Sequence, residues 1–275
     1  MNDCISNNVY LNNAIVPSAE AKLYVYPGKI TIYEAIRILD GCPLFIEDHL
    51  ERLQQSATLL NVPLLNSIDR LQSIIAEFIE HESIDNGNIK LQFTYNNNES
   101  FSLLYQLRHS YPTKQMYTNG VNTKTLQIER NNPNAKNIQS FHQIAQTFIL
   151  DNAIYEALLV DKDSNITEGS KSNIFFIKDN RIITALASDV LLGITRKYVI
   201  KAAELLGLTI EERKIATNEL QDFDAAFISG TSPKILPIKL IDLTVYNTTN
   251  VILQQLMSTL DALIKQYIDK QRIKA

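Results

Sequence analysis

The sequence predicts an α+β fold in two domains, from three features. Short alternating strands open the chain, and two amphipathic helical stretches and two more strands follow them. A polar segment, Tyr111–Asn122, carries Pro112 and Gly120 and breaks this pattern. Apolar strands and helices then resume and end in a long amphipathic helix. At 275 residues the chain can form one domain or two, at about 150 residues each. The expected division is an N-terminal α+β domain over 1–113, a linker over 114–122 and a C-terminal domain over 123–275.

Taken in order, Val9-Tyr10-Leu11 and Ala14-Ile15-Val16 flank Asn12-Asn13 and read as a hairpin. Thr31–Leu39 alternates toward a strand that stops at Asp40-Gly41. Asp48–Asn61 places Leu50, Leu53, Ala57 and Leu60 at helical spacing, and a second helix is expected from Ile68 to His81. Ile89–Tyr95 and Phe101–Leu107 read as strands. In the second half the pattern predicts a helix over Ser140–Asn152 and strands at Glu156–Asp161 and Ala225–Ser229. The final stretch, Asn250–Ile273, gathers Leu253, Leu256, Leu260, Ile264 and Tyr267 on one side, as a packing helix does. The asparagine clusters Asn96-Asn97-Asn98 and Asn131-Asn132 mark turns.

The rest of the chain is read outward from Ile166–Arg196. Ile174-Phe175-Phe176-Ile177 is a short apolar run, Asp179-Asn180 suits a tight turn, and Arg181-Ile182-Ile183-Thr184 returns as its partner strand. After the hairpin, Leu191-Leu192-Gly193-Ile194-Thr195-Arg196 opens a helix that Gly207 closes. A glycine followed by unpaired amides and a hydroxyl at a helix start favours an anion, although a plain helix cap has the same appearance.

The formal charge of −4 provides no basic field for a phosphate backbone, so nucleic acid is not an expected partner. The N-terminus lacks a basic start with an apolar core, and no stretch reaches the ~18 apolar residues of a membrane helix. A cytoplasmic protein without a membrane partner is therefore expected. Cys4 and Cys42 have neither zinc-site spacing nor a disulfide framework. His49, His81, His109 and His142 never fall two or four apart, and no catalytic metal is expected.

Glu168-Gly169-Ser170-Lys171-Ser172-Asn173, followed by Ile174-Phe175-Phe176 and then by Leu192-Gly193-Ile194-Thr195-Arg196, resembles the signature of the class IV aminotransferases. These are the fold-type IV enzymes of pyridoxal 5′-phosphate (PLP), among them branched-chain and D-amino acid aminotransferases and aminodeoxychorismate lyase. The similarity runs from Phe45 to Pro237 and is strongest from Arg130 to Arg196. It implies a smaller α/β sandwich domain, a larger PLP-binding pseudo-barrel domain, amino acid and 2-oxo acid substrates, and a homodimer with its sites near the interface.

The resemblance also implies site residues. Lys136, in Arg130-x-x-Pro133-x-x-Lys136 ahead of a helix, stands where the family holds its cofactor as an internal aldimine. Such an amine must be made nucleophilic by its surroundings, and a solvated loop lysine is the plain alternative. Glu168 matches the carboxylate beside the pyridine nitrogen, where negative charge keeps that nitrogen protonated; alone it would be an exposed strand-end glutamate. The phosphate falls to Ile194, Thr195, Thr231 and Arg52. A guanidinium suits phosphate by its fixed fork, but Arg52 in His49-Leu50-Glu51-Arg52-Leu53 could equally pair with Asp48 on a helix surface. Thr231 and Ser232 end Phe227-Ile228-Ser229-Gly230-Thr231-Ser232, where the family binds phosphate and substrate carboxylate. Tyr33 matches an aromatic residue lining the substrate, and could also be core.

Three departures from the family pattern accompany these matches. Tyr26-Pro27-Gly28-Lys29-Ile30-Thr31-Ile32 does not match the family's glycine-rich run before the tyrosine. Phe141 stands where branched-chain enzymes carry a tyrosine that donates to the cofactor's ring oxygen, and phenylalanine has no donor. The Arg-x-His pair that takes the substrate carboxylate in D-amino acid aminotransferases has no counterpart around Asn96–Ser102. Arg108-His109 and Arg37 are possible replacements, or else solvated strand residues. The expected function is a PLP-dependent aminotransferase working through Lys136. The alternatives are an aminodeoxychorismate lyase yielding 4-aminobenzoate and pyruvate, against which Ala35 replaces the threonine of some such lyases, and a PLP-binding protein without turnover.

Overall fold

The computed structural model describes residues 3–22, 28–96 and 99–274. The chain divides into two compact units, Met1–Ser110 with Ala135–Ile138 and Gln266–Ala275, and Tyr111–Asn134 with Gln139–Lys265. Asn97 and Asn98 of the expected asparagine turn, and Tyr26-Pro27 of the segment that departs from the family pattern, lie outside the described residues.

The first unit contains β1 (Asn8–Leu11), β2 (Ala14–Pro17), the short α1 (Ser18–Ala21), β3 (Ile30–Leu39), β4 (Cys42–Pro43), α2 (Ile46–Leu59), α3 (Ile68–His81), β5 (Gly87–Tyr95) and β6 (Ser100–Leu107). Its six strands pair antiparallel in the order β2-β1-β6-β5-β3-β4. The period-2 pattern of β3 decides its two faces. Ile32, Ile36 and Ile38 point into a core with Leu50, Leu53 and Ala57 of α2 and Leu71, Ile74, Ile75 and Phe78 of α3. Tyr33, Ala35 and Arg37 lie on the opposite face, across from Gln92, Lys90 and Asn88 of β5. The Ser67 hydroxyl caps α3 by accepting from the Arg70 amide at 3.3 Å.

The second unit contains α4 (Lys114–Asn119), β7 (Val121–Gln127), α5 (Phe141–Asn152), β8 (Glu156–Val160), β9 (Ile166–Gly169), β10 (Asn173–Lys178), β11 (Arg181–Thr184), α6 (Ile194–Leu205), β12 (Thr209–Glu212), β13 (Ala225–Gly230), β14 (Lys234–Ile241) and β15 (Thr244–Val245). A last helix, α7 (Val251–Lys274), buries Leu253, Leu256, Leu260 and Ile264. The sheet runs β12-β11-β10-β13-β14-β7-β8-β9, with β15 on β14, and it mixes directions: β11–β12, β14–β7 and β7–β8 are parallel. Ile174 and Phe176 of β10, Ile228 of β13, Leu236 and Ile238 of β14 and Leu158 of β8 share one core.

The hairpin of β10 and β11 turns at Asp179, whose φ of 52° is left-handed, and Gly207 closes α6 at φ 68°. The stretch expected as a linker, 114–122, holds α4 and the first residues of β7. Thr113 caps α4 by accepting from the Met116 amide, and Gly120 ends it at φ 72°, where a Cβ would lie 2.8 Å from the Lys239 amide nitrogen. Nor does the sequence pattern announce strand β14, because Pro237 sits inside it. There Pro237 pairs with Phe227, and the register slips between Ile238 and Leu240. Among the described residues no helix is long and apolar enough to cross a membrane.

Candidate active site

In the first unit the main chain of Lys136 is held at several points. Tyr33 N donates to Lys136 O at 3.1 Å and Ile138 N to Thr31 O at 2.9 Å, so this segment lines the edge of β3. Lys136 N donates to the buried Ser56 Oγ of α2 at 3.0 Å. The half-buried side chain places Nζ 4.8 Å from the centre of the Tyr33 ring. Tyr33 is thus not core; its ring faces the amine.

Arg52 is buried on α2 and directed toward β3. Its Nε donates to Glu34 Oε1 at 2.9 Å and its Nη2 to Oε2 at 2.6 Å, while His49 Nδ1 lies 2.7 Å from Oε2. A carboxylate can only accept here, so Nδ1 is the protonated nitrogen of His49. Burial acts to raise the Glu34 carboxyl, yet Arg52 and His49 outweigh it and hold the group down to about 2. Burial likewise pushes the His49 imidazole below its usual range against the pull of Glu34, which leaves it neutral. Arg52 is thus buried in this clamp and is not a solvated helix-surface arginine.

In the second unit Glu168 is buried at the end of β9. Arg130 Nη1 donates to its Oε1 at 3.0 Å and the Leu191 amide to its Oε2 at 3.1 Å. The Arg130 guanidinium also lies 5.8 Å from the ring centre of Phe141, which stacks on His142 at 4.0 Å. The turn after Glu168 is pinned by a second buried carboxylate. Glu156 accepts from Ser170 Oγ at 2.6 Å, Ser172 Oγ at 3.1 Å and the Ala157 amide at 3.0 Å, and a Cβ on Gly169 would lie 3.1 Å from Glu156 Cγ. Burial pushes the Glu156 carboxyl up, against those donors.

Ile194 and Thr195 open α6, and no side chain caps that helix. Gly193 is required at its N-cap because a Cβ would collide with Asn173 Oδ1, whose amide donates to Leu191 O at 2.8 Å. Across from Asn173 on β13, the Ser229 hydroxyl is 1% exposed and has no partner among the described residues. Thr231 and Ser232 follow in a half-buried turn. That turn is secured by Tyr117 donating to Pro233 O at 2.9 Å and by Lys234 at φ 55°.

The structure therefore joins Lys136, Tyr33 and Arg52 around β3 in one unit, and Glu168, Ile194, Thr195, Thr231 and Ser232 around the β10–β13 strand ends in the other. Arg108 and His109 fall in exposed chain after β6, and Arg37 lies on the same β3 face as Tyr33. Sequence reasoning missed Glu34, His49, Ser56, Glu156 and the role of Arg130. One signal was available: Glu34 sits in phase with Ile32, Ile36 and Ile38, and a carboxylate on an apolar face requires a partner. Among the described residues no group of three His, Cys, Asp or Glu side chains could hold a metal ion.

The family model for amino-transferase class IV matches residues 31–241. The chain belongs to the class IV aminotransferases. It is an enzyme of that family, whose members work with PLP. The branched-chain-amino-acid aminotransferase-like protein 2 of Arabidopsis thaliana is 28% identical over 85% of this chain, which spans 45% of that relative's length. The D-alanine aminotransferase of Bacillus licheniformis is 28% identical, with 77% of this chain and 78% of the relative covered. The crystal structure of a branched-chain amino acid aminotransferase from T.th. with pyridoxamine 5′-phosphate superposes with a TM-score of 0.84 at 22% identity, covering 95% of both chains. The fold is that of the fold-type IV aminotransferases.

Proposed function

We propose that this aminotransferase moves an amino group between an amino acid and a 2-oxo acid with PLP held covalently by Lys136. The residues fit that cofactor. The uncapped first turn of α6 and the buried, unpartnered Ser229 hydroxyl across from Asn173 are donors suited to a phosphate. When bound, PLP supplies an electron sink for negative charge on the substrate α-carbon.

The chain's own groups have distinct tasks. The amides of Ile194 and Thr195, the Thr195 hydroxyl and Thr231 bind the phosphate, and Arg52, clamped by Glu34, adds fixed positive charge. The Glu168 carboxylate, oriented by Arg130 and the Leu191 amide, holds a proton on the pyridine nitrogen. Lys136 Nζ removes and returns the proton at the substrate α-carbon. Tyr33 and Ser232 orient the substrate. Phe141 offers no proton to the ring oxygen and instead packs beside Arg130. The family resemblance extends this reading to a cytoplasmic homodimer.

The observation that carries the proposal is the coupling of Glu168 to the helix start: its carboxylate is bonded by the Leu191 amide, three residues before Ile194. The test supplies L- and D-amino acids with 2-oxo acid acceptors, and separately aminodeoxychorismate. Equal yields of a new amino acid and a new 2-oxo acid, abolished together with the yellow colour in folded Lys136→Ala, are expected. Pyruvate and 4-aminobenzoate as the products would instead make the enzyme a lyase.

A further inference from the structure

In the first unit Lys136 is held through both of its main-chain groups. Its carbonyl accepts from Tyr33 N of β3 at 3.1 Å, and its amide donates to Ser56 Oγ of α2 at 3.0 Å. The next residue of β3 returns the connection, because Glu34 accepts from Arg52 Nε at 2.9 Å and Nη2 at 2.6 Å. Arg52 and Ser56 stand four residues apart on α2, so their side chains leave the same helical face with a rise of about 6 Å between them. The path from Tyr33 through Lys136, Ser56, Arg52 and Glu34 back to Tyr33 is therefore a closed ring of covalent bonds and short hydrogen bonds. Ser56 is the member that joins the lysine to α2.

Ser56 is fully buried, as are Leu53 and Ala57 beside it on α2. Alanine at this position would form helix better and bury no polar atom, so the hydroxyl is stabilising only through the amide it accepts. A bond to a buried main-chain amide also fixes where that residue sits. Here the Lys136 backbone is pinned between β3 and α2, and its Nζ lies 4.8 Å from the Tyr33 ring centre. At the other end of the four-residue span, the two bonds to Glu34 fix the plane of the Arg52 fork. Two groups that engage one small molecule at two points bind it best when their separation is set before it arrives.

We propose that Ser56 is a positioning residue that sets the separation between Lys136 and the Arg52 guanidinium, an inference that rests on the aminotransferase reading. On that reading the lysine amine takes the aldehyde carbon of PLP, with one water released, and the guanidinium serves its phosphate. The hydroxyl acts on both only through the Lys136 main chain and α2. A ligand that has the aldehyde but no phosphate gains nothing from the separation, which distinguishes this role from a general contribution to folding.

The test titrates the cofactor-free protein with PLP and with pyridoxal, which carries the aldehyde without the phosphate, and follows the yellow absorbance of capture by the lysine. In Ser56→Ala the preference for PLP over pyridoxal should fall about tenfold, with pyridoxal affinity within about twofold of wild type. Turnover should fall about tenfold while KM for the amino acid moves less than about threefold, because the displaced group is the proton carrier. Ser56→Cys, close in shape but a weaker acceptor, should lie between wild type and Ser56→Ala. In an Arg52→Lys background, which keeps a cation for Glu34 and loses the fork, Ser56→Ala should cost at most about threefold in the same preference. Equal losses of PLP and pyridoxal affinity, the result of a hydroxyl that only steadies the fold, would overturn the proposal. So would an unchanged preference in folded Ser56→Ala, or a tenfold loss that persists beside Arg52→Lys. If Ser56→Ala does not fold, a wild-type preference in Ser56→Cys overturns it in the same way. A wild-type chain that takes up neither aldehyde would remove the aminotransferase reading and this role with it, whereas uptake that the variants leave unchanged would remove the role of Ser56 alone.

Discussion

Two buried arginine–glutamate pairs serve the two halves of the candidate machinery in opposite senses. On β3, Glu34 is fully buried and takes two nitrogens of Arg52 and one of His49. On the proposed reading the carboxylate there is the holder and the guanidinium is the working group. At the end of β9, Arg130 Nη1 donates to Glu168 Oε1 and the Leu191 amide to Oε2. Here the guanidinium is the holder. The difference lies in the partners: two parallel bonds from Arg52 fix the plane of its fork on Glu34, whereas Glu168 combines a guanidinium with a backbone amide.

The strongest way to break the comparison is Glu34→Ala, which strands a buried guanidinium. It should cost about 3–5 kcal/mol in urea unfolding. Because the folded Glu34 carboxyl lies below its ordinary value, its contribution is whole above about pH 4.5 and is lost as pH falls toward about 2. The wild-type stability curve should steepen in that window and the variant's should not. A cost under about 1 kcal/mol would mean that Arg52 is not held there. Arg130→Met should be milder, about 1.5–3 kcal/mol, because the Leu191 amide still holds the Glu168 carboxylate, with turnover falling more than stability because Glu168 loses its aim. Equal costs for the two variants would erase the distinction between a carboxylate clamped by side chains and one that a backbone amide also holds.

Most of the regular elements were legible because their periodicities were clean. The isoleucines of β3, the Ile68–His81 helix with its Ser67 cap and the β10–β11 hairpin all repeat what local pattern dictates. What pattern could not supply was pairing across distance. β14 is hidden by Pro237, and the helix at Lys114–Asn119 by the polar residues that made it resemble a linker. The side-chain types at the site were visible in Glu168, Lys136 and Gly193-Ile194-Thr195. Their holders were not, since Arg52 meets Glu34 and Lys136 N meets Ser56 only after the sheet and α2 have packed.

A third buried glutamate sharpens the lesson, because Glu156 has hydroxyls and an amide where Glu34 has the Arg52 guanidinium and the His49 imidazole. Burial raises its carboxyl, so the folded state favours the protonated form, and stability falls as pH rises through the ordinary carboxylate range toward that raised value. Glu156→Gln keeps Oε1 for the Ala157 amide and Ser170 Oγ, and the Ser172 hydroxyl can rotate to accept from the new amide nitrogen. Its effect should be within about 1 kcal/mol at pH 7, the smallest of the three, with the wild-type decline at rising pH removed. Glu156→Ala, by contrast, leaves three donors facing nothing and loosens the turn that presents Glu168. If Glu156→Gln proved as damaging as Glu156→Ala, Glu156 would act as a charge in the manner of Glu34, and a buried carboxylate would need no cation to stay ionised in this fold.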